Sequence, residues 1–311
     1  MMRLALMTGA LSAFAMLAMS GCVAATGSEE EVAADHAAVH GELSPVGNGH
    51  LTREAHAQNG GKPSGSPLMT YHGGKIMPTA VTKTIFWGPS WSNSTFAGDK
   101  ITGLDSWYGG HGNSNYSKTV DEYTGSNGTV GAATTHLGHV IDTSTASGGG
   151  QTSAILAEVC KMITSPDPSG NGYYAVYTDL KRGGAGYCAW HSSGACGGVP
   201  VQFAFFWNLD GDAGCDPQDT SGLHSQGLAA LSSVTGHELA EARSDPASPG
   251  AWYDGAGSEN GDKCAWTFGA PLVTFSNGSQ WKIQGEWSNA AYNAGTGYPN
   301  SSGQHGCLSG L

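Results

Sequence analysis

The sequence predicts an α+β (mixed α/β) domain built on a central sheet, and three observations predict it. Strand-like runs rich in β-branched and aromatic residues alternate with a few helical patterns. One stretch, Ser225 to Arg243, places Leu228, Leu231, Val234, Leu239 and Ala242 on a helical stripe that Asp245-Pro246 stops. The residues after it break into short strands punctuated by glycine, a loop-rich C-terminal subregion.

In chain order, Val81 to Trp87 reads as a strand ended by Gly88-Pro89, and Asp99 to Tyr108 as a short helix. Val130 to Thr143 has strand composition, whereas Thr152 to Ile163 spaces Ile155, Leu156, Val159 and Ile163 as a helix does. Tyr173 to Thr178, Tyr187 to His191 and Val201 to Leu209 read as buried strands, and Leu272 to Phe275 and Gln280 to Ile283 as short late ones.

Composition narrows the function. The 49 glycines follow no G-X-Y period, and 9 Trp, 11 Tyr and 8 Phe are enough for a packed core. A formal charge of −12 with only 13 Lys and Arg excludes a nucleic-acid binder, which needs clustered cations.

The first 22 residues read as an export signal. Arg3 precedes an apolar run, Leu4 to Met19, that is too short to span a bilayer. Ser20-Gly21-Cys22 then resembles a bacterial lipobox, with Cys22 as the lipidated N-terminus and the lipid as the sole membrane attachment; ordinary cleavage near Ala24-Ala25 and plain secretion is the alternative. Residues 23–66 carry six acids against Arg53 and Lys62 and almost no large apolar side chain, so a disordered tether is expected, its histidines solvated. Residues 67–311 form the core domain. Its six cysteines, Cys160, Cys188, Cys196, Cys215, Cys264 and Cys307, form no CxxC and point to three disulfides in an exported chain. Cys264 with Cys307 is the expected single pair.

The sharpest chemical signal is His237-Glu-Leu-Ala-Glu241 on the long helix. Positions i and i+4 share a helix face, so His237 and Glu241 can reach one ion, while Glu238, about 100° away, can reach a bound water. This is the arrangement of the zincin HExxH helix with a carboxylate in place of the second imidazole, and Zn²⁺ or another divalent metal accepts both ligand types. Glu259, 22 residues after His237, or Asp262 supplies the third ligand, with Asp245 and Asp254 also in range. The bland alternative is an exposed charged helix face. Asp210-Gly-Asp212-Ala-Gly-Cys-Asp216 departs from the EF-hand pattern and reads as an acidic turn. His136 and His139 should face opposite sides of a strand, and His191 reads as a structural histidine.

The order of motifs resembles the phosphate-induced protein / EXORDIUM family over about residues 73–307. The resemblance rests on Ile85-Phe-Trp-Gly88, Ser106-Trp-Tyr108, Gly172 to Thr178, Tyr187-Cys-Ala-Trp-His191, Gln202 to Phe206 with Cys215, and His237 to Glu241 followed by Ala251-Trp-Tyr253 and Glu259-x-x-Asp262-x-Cys264. It implies an exported protein of cell surfaces and supplies no activity; Asp245 departs from the Asn frequent in plant members.

Two functions are therefore expected to compete. One is an extracytoplasmic zincin-like hydrolase, in the first instance a peptidase, with Glu238 catalytic and His237, Glu241 and Glu259 or Asp262 holding the metal. The other is a non-catalytic envelope or matrix protein that binds polysaccharide through a row of exposed aromatics, its histidine and carboxylates forming a structural site. A peptide or a cell-wall polymer is the corresponding partner.

Overall fold

The computed structural model describes residues 50–53, 55, 56, 66–147, 149 and 151–311. The expected signal segment, Cys22 and most of the tether lie outside the described residues.

Five strands form the central sheet: β1 (Ala80–Trp87), β2 (Thr134–Asp142), β3 (Gly172–Lys181), β4 (Ala189–Cys196) and β5 (Val199–Asn208). Their spatial order is β2-β1-β3-β5-β4. The first four in that order run parallel, and β4 is the antiparallel edge, joined to β5 by a tight turn at Gly197-Gly198. Three helices cover the sheet: α1 (Lys100–His111), α2 (Thr152–Met162) and α3 (Gln226–Ser244).

Alternation along β3 divides the core. Tyr173, Ala175 and Tyr177 point to the face packed by Leu104 and Trp107 of α1 and by Leu228, Leu231, Val234 and Leu239 of α3. Tyr174 and Val176 point to the other face, where Ile155, Leu156 and Val159 of α2 pack. Burial on both faces explains why these strands read as continuous apolar runs. A third cluster, around Met69, Val120, Tyr123 and Trp287, joins the C-terminal subregion to Ala240 of α3.

Position of the site follows from α3. Residues 227–244 of this helix are all buried, with the sheet on one flank and the C-terminal subregion on the other. Ser225 caps its start, accepting from the Leu228 N–H, and Asp99 in turn holds the Ser225 hydroxyl at 2.5 Å. Tyr177 hydrogen-bonds Thr235 at 2.7 Å and Tyr108 at 3.0 Å, which fixes the helix on the sheet. Arg243, fully buried, donates to the carbonyls of Ser117 and Gly131. Six cysteines pair as Cys160–Cys196, Cys188–Cys215 and Cys264–Cys307.

Two sequence readings need correction. The tether expected over 23–66 contains a docked piece: His50 is fully buried, Cys188 N–H donates to the His50 carbonyl at 2.7 Å, and Thr52 N–H donates to Gly186 at 3.0 Å. His136 and His139 do not diverge. Gly138 adopts φ +73° at a break in the β1–β2 register, and both rings reach Asp105, at 3.0 and 2.6 Å.

Candidate metal centre

His237, Glu238 and Glu241 sit in the closing turns of α3, all fully buried. The alternative of an exposed charged face is thus overturned. Facing them is the short helix α4 (Asn260–Lys263), whose reciprocal capping box joins Glu259 and Asp262. Asp262 N–H donates to Glu241 Oε1 at 3.0 Å, which locks this turn to α3.

Sequence spacing leaves the third ligand open between Glu259 and Asp262; the geometry uses both. His237 Nε2 lies 3.0 Å from Glu241 Oε1 and 3.7 Å from Asp262 Oδ1. On the other side of the same carboxylate, His191 Nε2 lies 3.5 Å from Glu241 Oε2 and 3.1 Å from Glu259 Oε2. Two groups of three ligands therefore meet at Glu241, each compact enough to hold an ion. His191, read from sequence as a structural histidine, comes from the edge strand β4 and here joins a group that could hold an ion, while also hydrogen-bonding Glu259 at 3.1 Å. Asp245 and Asp254 are used elsewhere: Asp245 accepts from Ala251 N–H at 2.6 Å, and Asp254 pairs with Lys263 at 2.6 Å.

These groups are short of hydrogen-bond partners. His237 Nε2, Glu238 Oε2, Glu241 Oε2 and Glu259 Oε1 are buried and make no hydrogen bond. Buried polar atoms left in that state are costly unless something binds them. The side chains of His237, Glu241, His191 and Glu259 are 0–4 % exposed, whereas that of Asp262 is 23 % exposed and marks the solvent side.

Electrostatics follow from this packing. Burial would raise Glu241, but His237 and His191 bring it down to about 2. Burial would lower both histidines, yet Glu241 with Asp262 raises His237 and Glu259 with Glu241 raises His191. Burial, reinforced by Glu241, pushes Glu238 and Asp262 well above the usual carboxylate range. Glu259 rises to about 7 through burial and Glu241, against the opposing pull of His191.

Around the ligands lies a supporting shell. Gln284 is oriented by the backbone, donating to the Gly261 carbonyl at 2.8 Å and accepting from Trp266 N–H at 3.3 Å, and its amide also donates to His237 Nδ1 at 3.0 Å. With Nδ1 accepting, the proton of a neutral His237 sits on Nε2, toward Glu241. An ion arriving at Nε2 must displace that proton. The docked segment closes the remaining side. The His50 ring stacks on His237 at 4.1 Å, and the His50 N–H donates to Glu238 Oε1 at 3.2 Å. Neither His50 ring nitrogen has a hydrogen-bond partner.

The other acidic candidate is a different object. In the 210–216 turn, Asp210 pairs with Lys100, Asp212 is gripped by Arg182 at 2.7 and 2.9 Å, and the Asp216 carbonyl accepts from Arg53. This agrees with an acidic turn.

No family model, no curated protein and no solved structure matches the chain, so the chemistry of the centre must be read from its geometry. Sequence reasoning missed His191 and His50. A signal existed for His191, the one charged-type side chain in a largely buried strand.

Proposed function

We propose that this protein is an exported, zincin-like metal-dependent hydrolase that acts on peptide bonds. The observation that carries the reading is Glu238: a buried carboxyl one residue from ligand His237, with one oxygen unpartnered, beside a cluster suited to a divalent ion. The donor set of imidazole nitrogens and carboxylate oxygens fits Zn²⁺. When bound, the metal supplies Lewis-acid polarisation and lowers the pKa of water. His237, Glu241 and Asp262 or Glu259 hold it. Glu238 takes the water's proton and passes it to the leaving amine, and burial, which raises its carboxyl well above the usual carboxylate range, makes it a stronger base for the first half of that transfer.

A peptide substrate is supported by the docked segment. Leu51 makes an antiparallel bridge to Tyr187, just ahead of the edge strand β4, and the neighbouring His50 N–H lies on Glu238. The short stretch His50 to Thr52 thus pairs with residues 186–188 at the entry to the edge strand and passes the proposed base, a one-bridge version of the mode in which peptides add to sheet edges. Three disulfides support an exported setting, and the family resemblance and lipobox agree with a surface-anchored protein. The polysaccharide alternative has less support, since Tyr71 is the one aromatic among the exposed large hydrophobics of the described residues. A purely structural ion centre is favoured by one observation, the depth of the ligands. Metal content measured beside turnover on a mixed peptide library separates the readings. Metal with turnover that Glu238→Gln abolishes supports the hydrolase; metal without turnover supports the structural centre.

A further inference from the structure

We propose that the centre holds two divalent ions bridged by Glu241. The inference rests on the metal-centre reading above and deepens it, assigning His191 and Glu259 to a second ion site that the HExxE pattern does not contain.

The first argument is distance. Ligands about 2.1 Å from a tetrahedral ion stand about 3.4 Å from one another. His237 Nε2 stands 3.0 Å from Glu241 Oε1 and 3.7 Å from Asp262 Oδ1. His191 Nε2 stands 3.5 Å from Glu241 Oε2 and 3.1 Å from Glu259 Oε2. Both sets bracket the expected edge. They also use different oxygens of Glu241, so one ion does not compete with the other for the same atom. A carboxylate that offers one oxygen to each ion is suited to the short separation of two-metal hydrolytic sites.

The second argument is independent of the acid count. Nine-tenths-buried atoms on both sides lack hydrogen-bond partners: His237 Nε2 on one, Glu241 Oε2 and Glu259 Oε1 on the other. A single ion in the His237 triad would leave Glu241 Oε2 and Glu259 Oε1 unpartnered, with only the 3.1 Å hydrogen bond between His191 Nε2 and Glu259 Oε2 to hold the second set.

Charge is the third. Glu238, Glu241, Glu259 and Asp262 bring four carboxylates into one pocket. Whichever of them ionise, each dication offsets two, so two ions can compensate all four while one compensates two.

The test is Mn²⁺ titration of the full exported chain, followed by dialysis, metal analysis and electron paramagnetic resonance. Two retained equivalents with an exchange-coupled spectrum are expected. His191→Ala should keep one equivalent and lose the coupling; Glu241→Gln should lose the coupling and at least one equivalent. One equivalent in the wild type overturns the second site while leaving the proposed function standing. Zero equivalents overturn both. Two equivalents with uncoupled spectra overturn the Glu241 bridge. Because the wild-type spectrum decides the bridge alone, a variant that fails to fold does not rescue the proposal.

Discussion

Two acid-rich regions stand out in this sequence, and in the folded protein they are opposites. The 210–216 turn is held by Lys100, Arg182 and Arg53, so its carboxylates and carbonyls are matched by the protein's own cations. The cluster at Glu241 is deeper, and its ion-pair partners among the described residues are histidines, with buried oxygens left over. A count of carboxylates does not identify a metal centre. The deficit of fixed cations and hydrogen-bond donors around them does, because a lysine or arginine already in place removes the reason for an ion to bind.

The contrast can be broken by experiment, and the largest effect is expected at Glu238, the proposed base. Glu238→Gln keeps the side chain's shape but removes proton transfer, so turnover should fall by roughly 10²-fold or more with metal content unchanged. Loss of metal along with activity would make Glu238 a ligand instead. Removing residues 1–65 comes next. The docked segment contributes a fully buried His50 stacked on His237, so its loss should lower the melting temperature by a few degrees while increasing turnover of long peptides. Unchanged stability would mean that His50 contributes nothing net.

A smaller effect tests the charge argument through pH. His237 and His191 have raised pKa values in the folded protein, so their protonated forms persist to higher pH and compete with an ion for the same nitrogens. Metal-induced stabilisation should therefore be greatest above the raised histidine values and shrink as pH falls through them. Without added metal the trend should reverse. Glu259, up at about 7, binds its proton more tightly when folded, so its contribution is full below the ordinary carboxylate range and lost as pH rises through about 7. Thermal scans from pH 8 to 5, with and without Zn²⁺, check both signs. The smallest effect belongs to the paired turn. Asp212→Asn should cost about 1 kcal/mol in denaturant unfolding and leave metal content untouched; a change in bound metal would erase the distinction between the two regions.

Much of the fold was legible because its signals are local. β3 and β5 announced themselves as buried apolar runs, β1 and β2 by β-branched and apolar composition, and α3 by its stripe and its Asp245-Pro246 stop. His237 and Glu241 were legible for the same reason, since one helical turn places them together. Glu259 and Asp262 were legible as a pair but not in their division of labour, which depends on how α4 docks against α3. His191 was hidden because its relation to Glu241 is made by sheet topology: β4 turns back as the antiparallel edge and carries the ring to the end of α3. The paired rings of His136 and His139 required the irregularity at Gly138, which strict alternation cannot anticipate. His50 lay in a polar stretch with nothing local to distinguish it, and its burial depends on contacts with Cys188, His237 and Trp266, far along the chain.

Gly261 offers a way to recognise other chains that carry this centre. A methyl group placed on its Cα would stand 2.9 Å from both Glu241 Oε1 and His237 Nδ1, inside the closest approach that such atoms tolerate. Neither neighbour is free to retreat, since Glu241 is held by Asp262 N–H and His237 by Gln284. Any sequence that shows His-Glu-x-x-Glu followed by the Glu-x-x-Asp turn, but has a side chain at the residue before that aspartate, should be unable to assemble the same ligand set. That one position sorts chance occurrences of the pattern from true counterparts by amino-acid sequence alone.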